Sequence, residues 1–186
     1  MEPDRRSNRL AVEYFDVVDE QDRVIDRRPG GECLMKGLLH RAVAILLFDE
    51  HGAVYTQRRA DWMGWYPGHW TLSVTGHVSS GETYEQAAKR ELLEELGAEC
   101  EPEWVAKVRT PDWPYGDLVE REYLAVFEAR TANPKITLSE ETKEGKFVAF
   151  EEFIRTAEEQ PDRLTPDTLL ALDVYQRAEG GKFEPR

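Results

Sequence analysis

The sequence predicts an α/β fold, on three observations: apolar strand segments recur along the chain, helical patterns alternate with them, and one amphipathic helix carries both end signals. Glu13 to Glu20 carries a short apolar strand pattern, and with the polar Glu20-Gln21-Asp22 turn before Val24-Ile25 it reads as a hairpin. Ala42 to Phe48 is a near-continuous apolar run. A turn at Asp49 to Gly52 follows, and Ala53 to Gln57 resumes as strand, which predicts a buried strand pair. Asp61 to Trp70 reads as an ordered loop lined by Trp62, Trp65, Tyr66 and Trp70, leading into a short strand at Thr71 to Val74. Thr83-x-x-Gln86 is a capping box that opens a helix to Leu96, and Gly97 stands where a left-handed cap would close it. Strands are expected at Tyr123 to Phe127 and Phe147 to Phe150. Helices are expected at Glu151 to Glu159 and at Pro166 to Ala178, the last with Thr165 as its N-cap. Residues 13–179 are expected to form one domain between flexible ends at 1–12 and 180–186.

A formal charge of −13 argues against a nucleic-acid polymer as partner, because phosphate backbones are held by many Lys and Arg. A small phosphorylated ligand remains compatible when carboxylates hold a cation that presents positive charge to it. The apolar run from Ala42 is far shorter than the roughly 20 residues of a membrane span, and no secretory leader pattern opens the chain, so the expected location is cytoplasmic, with no membrane partner. Cys33 and Cys100 are too few for a disulfide framework.

The helix carries the chemistry. At about 100° per residue, Glu91, Glu94 and Glu95 share one sector, since i, i+3 and i+4 are neighbours. Ala87 leaves room on that sector, while Tyr84, Ala88, Leu92 and Leu96 form an adjoining apolar stripe that would dock on a sheet. Three carboxylates so close repel one another unless cations sit among them, and hard oxygen donors suit Mg²⁺ or Mn²⁺. A solvated acidic face would account for these glutamates alone. Gly76, Glu82 and Arg90 at fixed offsets from them favour the metal reading.

From Gly76 to Ala98 the chain follows G-x5-E-x7-R-E-U-x-E-E-x-G-U, where U is aliphatic and Ala98 is the weak match. This segment resembles the box of the Nudix hydrolase superfamily. The resemblance implies an α/β/α sandwich with a mixed β-sheet. It implies metal held by Glu91, Glu94 and Glu95, with Glu82 and Arg90 in support and the Gly76 carbonyl as a further ligand. Catalysis would rest on Glu91, Glu94, Glu95 and Arg90, with Glu95 or Glu91 as the base that activates water on a diphosphate. A homodimer is one assembly known in the family.

Outside the box, Gly37 to Ala42, Gln57-Arg58-Arg59, Gly68 to His77 and Glu120 to Tyr123 resemble isopentenyl diphosphate isomerases, a branch of the same superfamily. Those enzymes use a cysteine where this chain has Thr75 and a lysine where it has Met63, and they degrade the glutamate signature kept whole here. The departures favour hydrolysis of a small organic, expectedly nucleoside, diphosphate. The isomerase-like hydrolases of the YfcD type are the nearest group, sharing Cys33 to Ala42 and Thr165 to Asp167. An isomerase and a non-catalytic nucleotide-binding module are the alternatives. Arg58 and Arg59 resemble a diphosphate-contacting segment, and Trp62, Trp65, Tyr66 and Trp113 to Tyr115 could line a pocket or pack a core. The isomerases' extra metal site maps onto Cys33, His40, His77, Glu120 and Glu122. A softer ion such as Zn²⁺ would suit that set, whereas a lone cysteine is ordinarily a small buried residue.

Overall fold

The apolar run at the centre of the sequence is buried on both faces, and that sets the layers. The computed structural model describes residues 13–132 and 136–178, so the ends expected to be flexible lie outside the described residues. In chain order the elements are β1 (Tyr14–Val18), β2 (Val24–Pro29), α1 (Gly30–Lys36), β3 (His40–Phe48), β4 (Ala53–Arg59), β5 (Trp70–Thr71), β6 (Val74–His77) and α2 (Tyr84–Leu96). They continue with β7 (Glu103–Arg109), β8 (Trp113–Tyr115), β9 (Leu118–Glu120), β10 (Glu122–Arg130), β11 (Thr142–Ala149), α3 (Phe150–Glu159), a 3-10 turn (Pro161–Arg163) and α4 (Pro166–Ala178).

Side chains alternate across a strand. Ala42, Ala44, Leu46 and Phe48 of β3 therefore enter one core with Phe153, Ala157, Leu172 and Tyr175 of α3 and α4. Val43, Ile45 and Leu47 enter a second core with Ala87, Ala88, Leu92 and Leu96 of α2. The result is the α/β/α sandwich, with a mixed seven-stranded sheet in the order β11-β4-β3-β10-β7 and β5 and β6 attached to β4 and β3. The β3–β10 pair is parallel, from His40↔Glu122 to Phe48↔Arg130. Each fully buried leucine contributes roughly 1.5–3 kcal/mol, so Leu92 and Leu96 hold α2 on the sheet while its acidic face is left for other work. Both end signals of α2 are realised. Thr83 and Gln86 exchange hydrogen bonds, and Gly97 closes the helix at φ 64°. Among the described residues no helix is long and apolar enough to cross a membrane.

The predicted pairing of β3 with β4 is present but short. The two strands leave their turn as a pair only at Phe48↔Val54 and then splay apart. The segment after the aromatic loop fills the gap, with β6 pairing β3 from Ala42↔His77 to Ile45↔Val74 and β5 pairing β4 at Gln57↔Thr71 and Arg58↔Trp70. Ser73 sits at the fork. Its hydroxyl accepts from the Leu47 amide at 2.8 Å and donates to the Tyr55 carbonyl at 2.6 Å, replacing the ladder bonds that the splay removes. The short helix α1 is also absent from the sequence reading. It ends at Gly37 with φ 57° and carries Cys33 and Leu34 into a small core with Phe15 and Val17.

The β1–β2 hairpin closes over the start of α2. Asp22, at φ 60° in its turn, accepts from Arg41 Nε at 2.7 Å, from the Tyr84 hydroxyl at 3.0 Å and from Lys107 Nζ. Burial alone would raise the Asp22 pKa, but the bonds from Lys107, Arg41 and Tyr84 outweigh it and hold the carboxyl below its ordinary range. A depressed folded-state pKa gives stability that is present above the unfolded value of about 3.9 and lost as pH falls toward the folded one. Asn tolerates positive φ, so Asp22→Asn removes the charge and keeps the turn. Chemical denaturation should show it less stable than wild type by about 1–3 kcal/mol at pH 7, with the gap closing as the pH is taken below about 4.

Candidate active site

The box residues meet where β6 passes under α2. Arg90 is the hub. Its Nε and Nη2 grip the two oxygens of Glu82, both at 2.8 Å, while Nη1 donates to Glu91 at 2.6 Å and reaches Glu94 at 3.4 Å. Nη2 also donates to the His77 carbonyl at 3.0 Å, tying the helix to β6. A planar guanidinium with a fork of donors suits this multiple role better than a lysine. Glu82 is held from its far side by the Ser79 amide at 3.0 Å. Glu91 is 5% exposed, and Gly76 gives it room: a Cβ on residue 76 would lie 2.5 Å from Glu91 Oε1. The glycine of the box is thus required by a close approach of a carboxylate to the β6 backbone.

Glu95 belongs to the neighbouring cleft, which is lined by Gln57, Arg59, Thr71, Thr75, Glu95, Glu141 and Thr142. Burial, then the charge of Glu91, push the Glu95 pKa up to about 8. A divalent cation among these carboxylates would remove the repulsion that keeps the proton on, so the hard donor set fits such an ion. Among the described residues, no three box glutamates bring their oxygens within 4.8 Å of one another.

The two arginines of β4 part company by strand alternation. Arg59 lines the cleft and donates from Nε to the Trp65 carbonyl at 2.8 Å. Arg58 faces the other way, to the Gly68 carbonyl at 2.9 Å and Glu144 at 3.1 Å. Met63 is buried in the loop that follows β4. Of the loop aromatics, Trp65, Tyr66 and Tyr115 pack together with ring centres 4.9–5.4 Å apart, whereas Trp62 is exposed. Gln57 and Asp167 fall within segments that resemble the isomerase branch, but the sequence reading gave neither a role. Gln57 lies two residues before Arg59, and the period of a strand puts both on one face. Asp167, in the first turn of α4, has its pKa raised by burial, against a hydrogen bond with Thr165 and the charge of Arg59.

A second group does gather tightly. His40, His77, Glu120 and Glu122 bring ligand atoms within 4.8 Å of one another, and all but the slightly exposed His77 are buried. Phe15 stacks on both imidazoles, at 5.3 Å from His40 and 4.6 Å from His77. His40 Nδ1 donates to the Leu38 carbonyl at 2.8 Å, which turns Nε2 toward Glu122 at 3.6 Å and Glu120 at 3.7 Å. That Nε2 and Glu120 Oε2 are buried without a hydrogen-bond partner. Burial opposes a charged His77, yet Glu120 and Glu122 overcome it and raise its pKa to about 10. The cluster without metal therefore stores a proton that a cation would displace. Cys33 is not part of this group. It packs with Phe15, Val17 and Leu34, and burial pushes its thiol up to about 11, the state of a neutral core residue.

A helix with an acidic face on an α/β/α sandwich, with an arginine fork beneath it, is the arrangement that the resemblance of the box implies. The family comparison agrees, since the NUDIX domain model matches residues 38–168. The chain belongs to the NUDIX domain family and is by class a Nudix pyrophosphohydrolase. It is 36% identical over 165 residues to an uncharacterised Nudix hydrolase of Pseudomonas aeruginosa, covering 88% of this chain and 94% of that one. It is 35% identical over 136 residues to an isopentenyl-diphosphate Delta-isomerase of Photorhabdus laumondii, covering 73% and 77% of the two chains. A Deinococcus radiodurans crystal structure shares the fold with a TM-score of 0.66 at 22% identity, across 92% of this chain and all of the other.

The Gly76 contact yields a test. In Gly76→Ala the group displaced is the flexible end of Glu91, so the fold should survive with a thermal midpoint within a few degrees of wild type. Mn²⁺ affinity, read by titration, should fall by about tenfold or more as the carboxylate is pushed aside; unchanged affinity would contradict the placement of Glu91.

Proposed function

We propose that this chain is a cytoplasmic, single-domain hydrolase over residues 13–179 that cleaves the diphosphate linkage of a small organic diphosphate with Mg²⁺ or Mn²⁺. The observation that carries the reading is the cleft in which Glu95, Arg59 and Thr75 meet. It combines a metal-holding carboxylate, a cation for phosphate oxygens and an alcohol in the place where the isomerases carry their thiol. Threonine has no thiolate to shuttle protons at carbon, whereas water attack on phosphorus needs none. Glu91, Glu94 and Glu95 would hold the metal, with the Gly76 carbonyl beside them. The ion would supply charge neutralisation at the phosphate oxygens and a more acidic bound water. Arg90 and Glu82 keep the carboxylates oriented, Glu95 or Glu91 accepts the proton of the attacking water, and Arg59 holds the diphosphate. A nucleoside is the organic group favoured, because the Trp65, Tyr66 and Tyr115 rings cluster in the loop whose Trp65 carbonyl holds Arg59.

Glu94→Gln and Glu95→Gln should each lower Mg²⁺-dependent hydrolysis by two or more orders of magnitude across a panel of organic diphosphates, with both products identified by mass. Unchanged turnover in both variants would sink the assignment.

The His40–His77–Glu120–Glu122 cluster favours a second reading, isopentenyl diphosphate isomerisation, since it matches four of five residues of that enzyme's extra metal site. Incubation with isopentenyl diphosphate separates the readings: no dimethylallyl product is expected. In either case the cluster is proposed to hold a softer divalent ion such as Zn²⁺ through His40 Nε2 and its neighbours. Elemental analysis of protein purified without added metal should find a transition metal near one equivalent, lost in His40→Ala; metal-free wild-type protein would remove the site.

A further inference from the structure

Arg90 grips Glu82, Glu91 and Glu94, but the hydrogen-bond donor to Glu95 is a different residue. Gln57, 3% exposed on β4, donates from Nε2 to Glu95 Oε2 at 3.1 Å. The same nitrogen donates to the Ser73 carbonyl at 2.5 Å, and Gln57 Oε1 accepts from the Thr142 hydroxyl. An amide has two N–H donors and one carbonyl acceptor. Turning it over would set its oxygen against the Ser73 carbonyl, two acceptors with no hydrogen between them, and its NH2 against the Thr142 hydroxyl. Its orientation is therefore forced by its surroundings, and one N–H must point at Glu95.

We infer that Gln57 is a positioning residue for the metal site: it fixes Glu95 Oε2 so that Oε1 is presented to the cation, and it references that carboxylate to the fork between β3 and β4. The inference rests on the reading of Glu95 as a metal-holding group. Neighbouring residues explain why an amide serves. A lysine or arginine at this position would bind the carboxylate as a salt bridge and compete with the metal for it, whereas a neutral donor occupies one oxygen and leaves the charge to the cation. Ser73 supplies the rigid reference, because its hydroxyl is itself fixed by Leu47 and Tyr55. Thr142, at the start of β11 beside β4, locks the other end of the amide.

The test is Mn²⁺ binding to the full chain by electron paramagnetic resonance, with thermal melting alongside. Gln57→Leu keeps most of the bulk of the side chain and removes both ends of the amide. It should weaken Mn²⁺ binding about tenfold and change the spectrum of the bound ion; unchanged affinity and spectrum in a folded Gln57→Leu overturns the inference. Thr142→Val is nearly isosteric and frees Gln57 to turn, so it should shift affinity in the same direction by a smaller factor. If Gln57→Leu does not fold, Thr142→Val decides alone, and wild-type binding there overturns the inference. Glu95→Gln separates the two layers of the argument. Wild-type Mn²⁺ binding in Glu95→Gln removes Glu95 from the metal site and the inference with it, while loss in Glu95→Gln beside wild-type binding in Gln57→Leu removes Gln57 alone.

Discussion

The splay between β3 and β4 is the constraint on which the rest of the site depends. Two strands joined by a tight turn would ordinarily zip together along their length, and here they separate after one pair. Separation exposes backbone donors and acceptors inside a buried sheet, which costs a few kcal/mol unless each finds a partner. The Ser73 hydroxyl bridges the Leu47 amide and the Tyr55 carbonyl, and β5 and β6 take up the remaining edges. Two things follow from the fork. β6 is delivered beneath the acidic face of α2, and Gln57 and Arg59 on the diverging β4 are left lining a cleft instead of a strand pair.

On that scaffold the electrostatics divide into two kinds of control. Arg90 gathers Glu82, Glu91 and Glu94 under one guanidinium, so their mutual repulsion is offset within the protein. Glu95 is treated differently. Burial and the charge of Glu91 raise its pKa, and the neutral Gln57 amide that donates to it offsets only part of that rise. One set of carboxylates is thus compensated within the protein, whereas Glu95 is left with a raised pKa. The cation proposed for this site would supply the charge that Glu95 lacks, while the residues held by Arg90 keep their geometry.

What the sequence made legible was local or periodic. The capping box of Thr83 and Gln86 is a four-residue signal, the glutamate sector is a helical repeat, and the two-face burial of β3 is visible as an unbroken apolar run. What escaped depends on residues that are distant in sequence. Leu47 and Ser73 are 26 positions apart, so nothing in either segment announces the fork. Arg58 and Arg59 read as one unit until strand alternation sends them to opposite faces, and the same alternation brings Gln57 beside Arg59. The fate of Cys33 turned on α1, whose Gly30-Gly31 start has poor helix propensity and forms only because Cys33 and Leu34 pack on Phe15 and Val17. The four-residue His and Glu group draws on β3, β6, β9 and β10, and only the resemblance to a known family connected them before the structure did.

Strand β6 joins the two clusters. Its alternation sends Val74 and Gly76 toward α2, where Gly76 makes room for Glu91, and sends His77 to the opposite side, among Glu120 and Glu122. The His77 carbonyl in turn accepts from Arg90, the residue that orients the box glutamates. A shift of β6 along β3 by one residue would exchange the faces, placing an imidazole against Glu91 and a glycine in the histidine cluster. Both groups thus depend on the same register, Ala42↔His77 and Val43↔Gly76, and the Ser73 bridge at the fork is what pins it. An ion that tightens the histidine cluster would stiffen the backbone carbonyl on which Arg90 rests, so the two sites share a mechanical reference even though no side chain of one needs to touch the other.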